Sequence, residues 1–107
     1  MITITVYKNE DQQYEGFLSE GHAGYGTEGS DIICAAVSVL TVNAINSIEK
    51  FTADRFAVRQ DDGLLELVLE GVISKETSLL LDSMVLGLMD IQKNYGNEYI
   101  KLIFEEV

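Results

Sequence analysis

The sequence predicts an α+β fold in two layers, in which two helices cover one face of a mainly antiparallel five-stranded sheet in the order ββαββαβ. Several stretches carry apolar residues at every second position, which is typical of strands with one buried face. Two longer stretches carry them at helical spacing. Alternating strands need a cover on one face only, so both helices are expected on the same side. The 107 residues contain no linker or low-complexity run, which predicts one domain over residues 1–107.

A hairpin is predicted at the start of the chain. Strand one is marked by apolar residues that alternate with threonines: Ile2, Ile4 and Val6. Residues 8–13 form a polar turn, and residues 14–19 return as an antiparallel second strand. Gly16 is a candidate bulge within that strand.

Helix one is predicted over residues 31–50, with Ser30 or Asp31 as its N-cap. Its core-facing stripe has helical spacing: Ile33, Val37, Leu40, Ala44, Ile48 and Phe51. The front half is apolar on the opposite side as well, at Ile32, Ala36 and Val39. We therefore expect the front half to be covered on both sides, by the preceding loop, the other helix or another subunit.

A second hairpin and a second helix follow. Strand three covers residues 52–60, a turn covers residues 61–63, and strand four covers Leu64–Glu70 with alternate leucines on one face. Helix two covers Lys75–Tyr95 and ends at Gly96, and residues 98–105 form strand five. The apolar residues expected to face the core recur at helical spacing in helix two and at every second position in strand five: Leu80, Leu81, Met84, Val85, Leu88, Ile91 and Tyr95 in the helix, and Ile100, Leu102 and Phe104 in the strand. Leu79 and Leu86 project among polar side chains, either as ordinary exposed leucines or as a subunit contact.

The charge of the chain restricts its partners. Seven basic and eighteen acidic side chains give a formal net charge of −11. Such a surface repels nucleic acid and anionic membranes and attracts basic polypeptides, although it could also serve only to keep a small protein soluble. No signal peptide is recognised, and no apolar run approaches the ~20 residues of a spanning helix. One cysteine excludes an intrachain disulfide and agrees with a reducing cytoplasm.

The one histidine and the one cysteine of the chain, His22 and Cys34, lie twelve positions apart. A free thiol has a pKa of about 8.5, but a helix N-terminus and a nearby imidazolium both favour the thiolate. Cys34 in the first turn of helix one and His22 on the preceding loop could thus form a catalytic pair for acyl transfer. The alternative is a small buried thiol and a histidine that only supports the loop.

Two further residues have candidate supporting roles beside this pair. Asp31 could orient His22, or could simply cap the helix. Ser38 follows Cys34 by one turn and could support the sulfur or the loop, or bond its own helix backbone.

The loop at residues 22–30 is longer than a typical connection, and such loops often bind or cover a ligand. The candidate substrate-loop residues are Gly21, Ala23, Gly24, Tyr25 and Gly26. Residues 24–29 match the dinucleotide pattern G-x-G-x-x-G, but they follow a hairpin, and Glu28 and Asp31 would oppose a pyrophosphate. One histidine and one cysteine supply two zinc ligands, and although Asp31 could add an oxygen, that combination is unusual for a zinc site. No metal and no cofactor are therefore expected.

The motif G-H-A at residues 21–23, followed by D-I-I-C-A-A-V-S-V-L at residues 31–40, resembles the ribosomal-processing cysteine protease family, Prp. The resemblance implies a cytoplasmic, homodimeric endopeptidase that removes the N-terminal extension of a large-subunit ribosomal protein precursor. It also implies that His22 and Cys34 are the catalytic pair and that the partner is the basic tail of that precursor, not nucleic acid or a membrane. The rival interpretation is a non-catalytic factor that binds or assembles a ribosomal protein, with a structural Cys34.

Overall fold

The structure, a computed structural model, describes residues 1–22 and 30–107, without the side chains of residues 30 and 31. It contains five strands and two helices in the predicted order, so the ββαββαβ prediction is confirmed. Along the chain they are β1 (Ile2–Lys8), β2 (Tyr14–Gly21), α1 (Ser30–Phe51), β3 (Arg55–Asp61), β4 (Leu64–Glu70), α2 (Lys75–Tyr95) and β5 (Ile100–Glu106).

The five strands form one sheet in the order β3-β4-β2-β1-β5. The three pairings β3·β4, β4·β2 and β2·β1 are antiparallel, and β1·β5 is parallel. The sheet is therefore mainly antiparallel, as predicted. Strand β2 lies in the middle, so its end at Gly21 lies between β1 and the turn that joins β3 to β4.

One hydrophobic core joins the inner face of the sheet to the two helices. Its buried side chains alternate along β1 and β4 and recur every three or four residues along α1 and α2, as the two periods require. The most deeply buried are Ile4, Val6, Phe17, Ile33, Ile48, Leu67, Leu81, Leu88 and Ile100. The helices approach closely at Gly87, where an added Cβ would lie 2.9 Å from the methyl groups of Leu40.

Three predicted core residues are exposed instead. Phe51 is 70% exposed, and Tyr95 and Phe104 are each 55% exposed. Phe51 and Tyr95 are the last residues of α1 and α2. Phe104 pairs in register with the buried Val6, but it lies near the end of the outermost strand. Phe104 shares the face of Val6 as the period of two requires, but a position at or near the end of an element leaves each of the three side chains with few neighbours.

Strands β2, β3 and β5 differ from the prediction at their ends, and β5 covers Ile100–Glu106 instead of residues 98–105. Strand β3 begins at Arg55 because Thr52 still belongs to the end of α1, where its N–H and its hydroxyl both donate to the carbonyl of Ile48 at 3.1 and 2.8 Å. Strand β2 continues to Gly21 because Gly21 pairs with Ile2 in the ladder to β1. Gly21 is thus a strand residue, and its prediction as a loop residue is wrong.

The candidate bulge at Gly16 is confirmed. The register between β1 and β2 shifts between Tyr7, which pairs with Gly16, and Lys8, which pairs with Tyr14. Glu15 is the additional residue in β2. At Gly16 an added Cβ would lie 2.0 Å from the carbonyl oxygen of Leu67 in β4, so only glycine fits this close approach.

Helix α1 is long and apolar. From Ile32 to Phe51 its mean hydropathy is 1.6, and by length and composition alone it could cross a membrane, so the expectation that no run reaches such a length is wrong. In the fold, its side chains at Ile33, Val37 and Ile48 are buried in the core of the domain. Only 33% of the stretch is buried, so its hydropathy comes both from core side chains and from exposed ones such as Ile32 and Val39.

Candidate active site

His22 and Cys34 line the same cleft, which has a volume of about 200 Å³. His22 directly follows β2, and Cys34 is the fifth residue of α1. The end of β2, the first turns of α1 and the β3–β4 turn form the walls of the cleft. The fold thus brings together the two residues that the sequence analysis paired, although twelve positions separate them.

Cys34 lies at the start of the second turn of α1, not in the first turn as predicted, because the helix begins at Ser30. Its side chain is partly buried and packs at the border of the hydrophobic core. The preceding Ile33 is buried in that core. The helix therefore holds the cysteine with its thiol on the side that lines the cleft.

Ser38 lies one helical turn after Cys34 and lines the same cleft. Its side chain is exposed, whereas Thr41, which also lines the cleft, is buried. The hydroxyl of Thr41 donates to the carbonyl of Val37 at 2.8 Å. This wall of the cleft thus presents the exposed Ser38 hydroxyl beside Cys34.

The imidazole of His22 contacts the turn between β3 and β4. The side chain is 46% exposed, and its Nε2 lies 3.7 Å from Oδ1 of Asp62. The ring also lies against Gly63, where an added Cβ would be 2.8 Å from the same nitrogen. The sequence predicts no more than a turn for residues 61–63. No local signal indicates the contact, because forty positions separate His22 from Asp62 and only the pairing of β2 with β4 brings them together.

The backbone next to His22 is closely packed. Gly21 has a φ of +97°, and an added Cβ there would lie 2.4 Å from the carbonyl oxygen of Met1. Its N–H donates to the carbonyl of Gly63 at 2.8 Å. Both the strand ladder and the β3–β4 turn therefore hold the chain at the point where His22 begins.

Several predicted site residues lie outside the part of the chain that the structure describes. They are the loop residues Ala23, Gly24, Tyr25 and Gly26. Asp31 lies in the first turn of α1, but its side chain is also outside the described part. Their predicted roles stay predictions.

The charge around the described cleft is negative. Asp61 lines the cleft, and Asp62 follows it in the same exposed turn. Within residues 1–22 and 30–107, no three side chains of His, Cys, Asp or Glu are grouped as metal ligands would be. The chemistry that this arrangement can perform is that of a thiol and an imidazole in an acidic cleft.

Known proteins resemble this chain over almost all of its length. A family described as cysteine protease Prp matches residues 1–101. The ribosomal processing cysteine protease Prp of Staphylococcus aureus is 30% identical over 107 residues, which are 98% of this chain and 100% of that protein. The protein of the same name from Bacillus subtilis is 24% identical over 101 residues, which are 89% of this chain and 90% of that one.

Solved structures of the S. aureus protein have the same fold. One contains a covalently linked product peptide; it superposes with a TM-score of 0.89 at 30% identity and covers 98% of this chain and 100% of its own. Another contains a substrate peptide and superposes with a TM-score of 0.90 at 29% identity and the same coverage.

Proposed function

This chain belongs to the cysteine protease Prp family, and we propose from that premise that it removes the N-terminal extension of a large-subunit ribosomal protein precursor. The observation that carries this proposal is that the histidine and the cysteine share one cleft. Cys34 is the nucleophile, and His22 is the general base and acid. The structures of the S. aureus relative with a substrate peptide and with a covalently linked product peptide support an extended peptide as the substrate.

The reaction proceeds through a thioester. The thiolate of Cys34 forms a bond to the carbonyl carbon of the scissile peptide, and the imidazolium of His22 gives its proton to the amine as the C–N bond breaks. The imidazole then takes a proton from water, and the water oxygen displaces the sulfur. This step releases the new carboxyl group and restores the thiolate and imidazolium.

Groups at the start of α1 complete the proposed site. Backbone N–H groups in the first turn of a helix have no partner within the helix and can receive the oxyanion of the tetrahedral intermediate. Ser38, exposed on the cleft wall, supports the peptide or the loop, and Asp31 supports His22. The proposed peptide contacts are Gly21 at the end of β2 and, in the loop, Ala23, Gly24, Tyr25 and Gly26.

Charge selects the class of substrate. The chain has a formal net charge of −11, and Asp61 and Asp62 lie at the cleft. A basic tail would be steered toward this surface, which raises the rate of encounter more than the affinity. A basic ribosomal protein precursor would be attracted by this negative charge. Because ribosomal proteins are made in the cytoplasm, the proposed activity is cytoplasmic.

The proposed enzyme is a homodimer. Large apolar side chains are exposed along the outer surfaces of both helices: Ile32 and Val39 on α1, and Leu79 and Leu86 on α2, each at least 62% exposed. The front of α1 also carries Cys34, so a partner subunit seated there would lie close to the cleft.

The test is mass spectrometry of the precursor after incubation with the wild-type chain and with Cys34→Ala. We expect the wild-type chain to cut once and to release the N-terminal extension, and the variant to leave the precursor intact. Circular dichroism serves as the control, because loss of one sulfur from a partly buried position should not unfold the domain. A precursor that binds the wild-type chain but stays uncut would favour the non-catalytic assembly factor with a structural cysteine.

A further inference from the structure

The turn between β3 and β4 contacts the imidazole of His22 through two neighbouring residues. Oδ1 of Asp62 lies 3.7 Å from Nε2. A Cβ added to Gly63 would lie 2.8 Å from Nε2, 3.3 Å from Cδ2 and 3.4 Å from Cε1, so one edge of the ring rests against this α-carbon. We infer that this turn positions His22 for proton exchange with Cys34. The inference rests on the proposed function.

The turn is itself held in place relative to His22. The N–H of Gly21, the residue before His22, donates to the carbonyl of Gly63 at 2.8 Å. Inside the turn, the N–H of Asp62 donates to Oδ1 of Asp61 at 2.8 Å. The backbone of His22 and the surface against which its ring rests thus belong to one hydrogen-bonded unit, and the ring has a defined place.

The two contacts make unequal contributions. The side chain of Asp62 is 93% exposed, and an ion pair in that environment is screened by water, so Asp62→Asn should lower kcat by about fivefold at most. The contact with Gly63 is steric and does not depend on solvent. We therefore assign the larger contribution to Gly63.

The contact lies on one edge of the ring. Oδ1 of Asp62 and the α-carbon of Gly63 both approach the side of the imidazole that carries Nε2. Asp62 and Gly63 are thus positioning residues that act through His22.

Gly63→Ala is the decisive variant. To restore an ordinary contact of 3.4 Å from 2.8 Å, the ring must move by about 0.6 Å. The imidazole is 46% exposed and can move aside, so the domain should stay folded. A displacement of this size in a catalytic group should lower kcat by about tenfold or more, with KM within about twofold.

Gly71→Ala is the matched control. Gly71 has a φ of +72°, close to the +67° of Gly63, but an added Cβ there would meet nothing within 4 Å. Both variants therefore carry the same backbone strain, and only Gly63→Ala displaces the ring. If Gly63→Ala does not fold, Gly63→Asn adds a Cβ with a residue that tolerates positive φ.

Nuclear magnetic resonance gives a readout that does not depend on activity. The chain has one histidine, so its ring signals need no further assignment. We expect a cross-peak between the ring protons and the Gly63 α-protons, and a shift of the ring signals in Gly63→Ala and Asp62→Asn. Gly71→Ala and Asp11→Asn should leave them unchanged. Asp11 lies in the β1–β2 turn, at the opposite end of β2 from His22, and is a charge-matched control.

The outcomes separate the two proposals. If the wild-type chain cuts the precursor and Gly63→Ala has the same kcat as Gly71→Ala, the turn does not position His22, but the proposed protease activity is still supported. Absence of the cross-peak from the wild-type spectrum likewise overturns the positioning role alone. A wild-type chain that shows the cross-peak but cuts nothing overturns the protease, and with it the catalytic role of the turn.

Discussion

The N–H of Gly21 donates a hydrogen bond of 2.8 Å to the carbonyl of Gly63, which joins the end of β2 to the β3–β4 turn beside the active-site cleft. Gly21 also pairs with Ile2 in the ladder to β1. The residue before His22 is therefore fixed from both sides, and its side of the ladder has no room for a side chain.

Gly21→Ala should destabilise the domain. The added Cβ would lie 2.4 Å from the carbonyl oxygen of Met1, a backbone atom next to the start of β1, and the φ of +97° adds strain. We expect the free energy of unfolding in urea to fall by about 2 kcal/mol or more. Gly71→Ala, which is strained but unobstructed, should lose less. Equal losses in the two variants would contradict this account.

Alkylation should report the state of Cys34. We expect iodoacetamide to label Cys34 and the label to abolish cleavage of the precursor, because Cys34 lines the cleft and its sulfur is the proposed nucleophile. His22→Gln should slow the labelling, because the imidazolium that favours the thiolate is gone. Hydrolysis of the precursor should have a bell-shaped pH profile. A labelling rate equal to that of a small reference thiol at every pH would argue against the pair.

Asp54 should stabilise α2 in a pH-dependent way. Its Oδ2 accepts hydrogen bonds from the hydroxyl of Thr77 at 2.5 Å, and from the N–H and the hydroxyl of Ser74 at 2.8 and 2.7 Å. The hydrogen bond from Thr77, followed by those from Ser74, lowers the pKa of the Asp54 carboxyl below its usual value. Because the folded state favours the ionised form, this stabilisation is present above the unfolded pKa of about 3.9 and is lost as the pH falls through the folded pKa.

Asp54→Asn tests this stabilisation. At pH 7 we expect the variant to unfold in urea with about 1–2 kcal/mol less free energy than the wild type. The difference should shrink as the pH falls below about 4. Asp11→Asn, in the exposed β1–β2 turn, is the control and should match the wild type at both pH values. A difference for Asp54→Asn that stays constant down to acid pH would contradict the linkage.

Leu86→Glu should dissociate the proposed dimer. Leu86 is 62% exposed on α2, and a buried carboxylate at a subunit contact would cost more than the contact gains. Sedimentation equilibrium should show a dimer for the wild type and a monomer for the variant, with the fold retained. Val72→Glu is the matched control, because Val72 is 93% exposed in the link before α2. A wild-type monomer, or a dimer that survives the change, would exclude this surface.

The sequence by itself determined the elements and indicated the candidate catalytic pair. Helix α2 has the predicted bounds, because its signals are local: Ser74 accepts from the N–H of Thr77 at the start, and Gly96 has a φ of +88° at the end. The alternation in β4 identified the inward leucines because a period of two depends on no distant residue. His22 and Cys34 could be paired because the chain has one of each and only twelve positions separate them.

Only the tertiary structure decided how far each layer extends and which turn meets His22. Phe51 and Phe104 have the correct period, yet they are exposed because cover depends on a distant element. The contact of Asp62 and Gly63 with the imidazole follows from the place of β2 beside β4, a pairing between segments far apart in the chain. Local sequence patterns determine which side of a strand or helix is apolar and where a turn occurs. Which residues then contact that side or that turn depends on how the whole sheet packs.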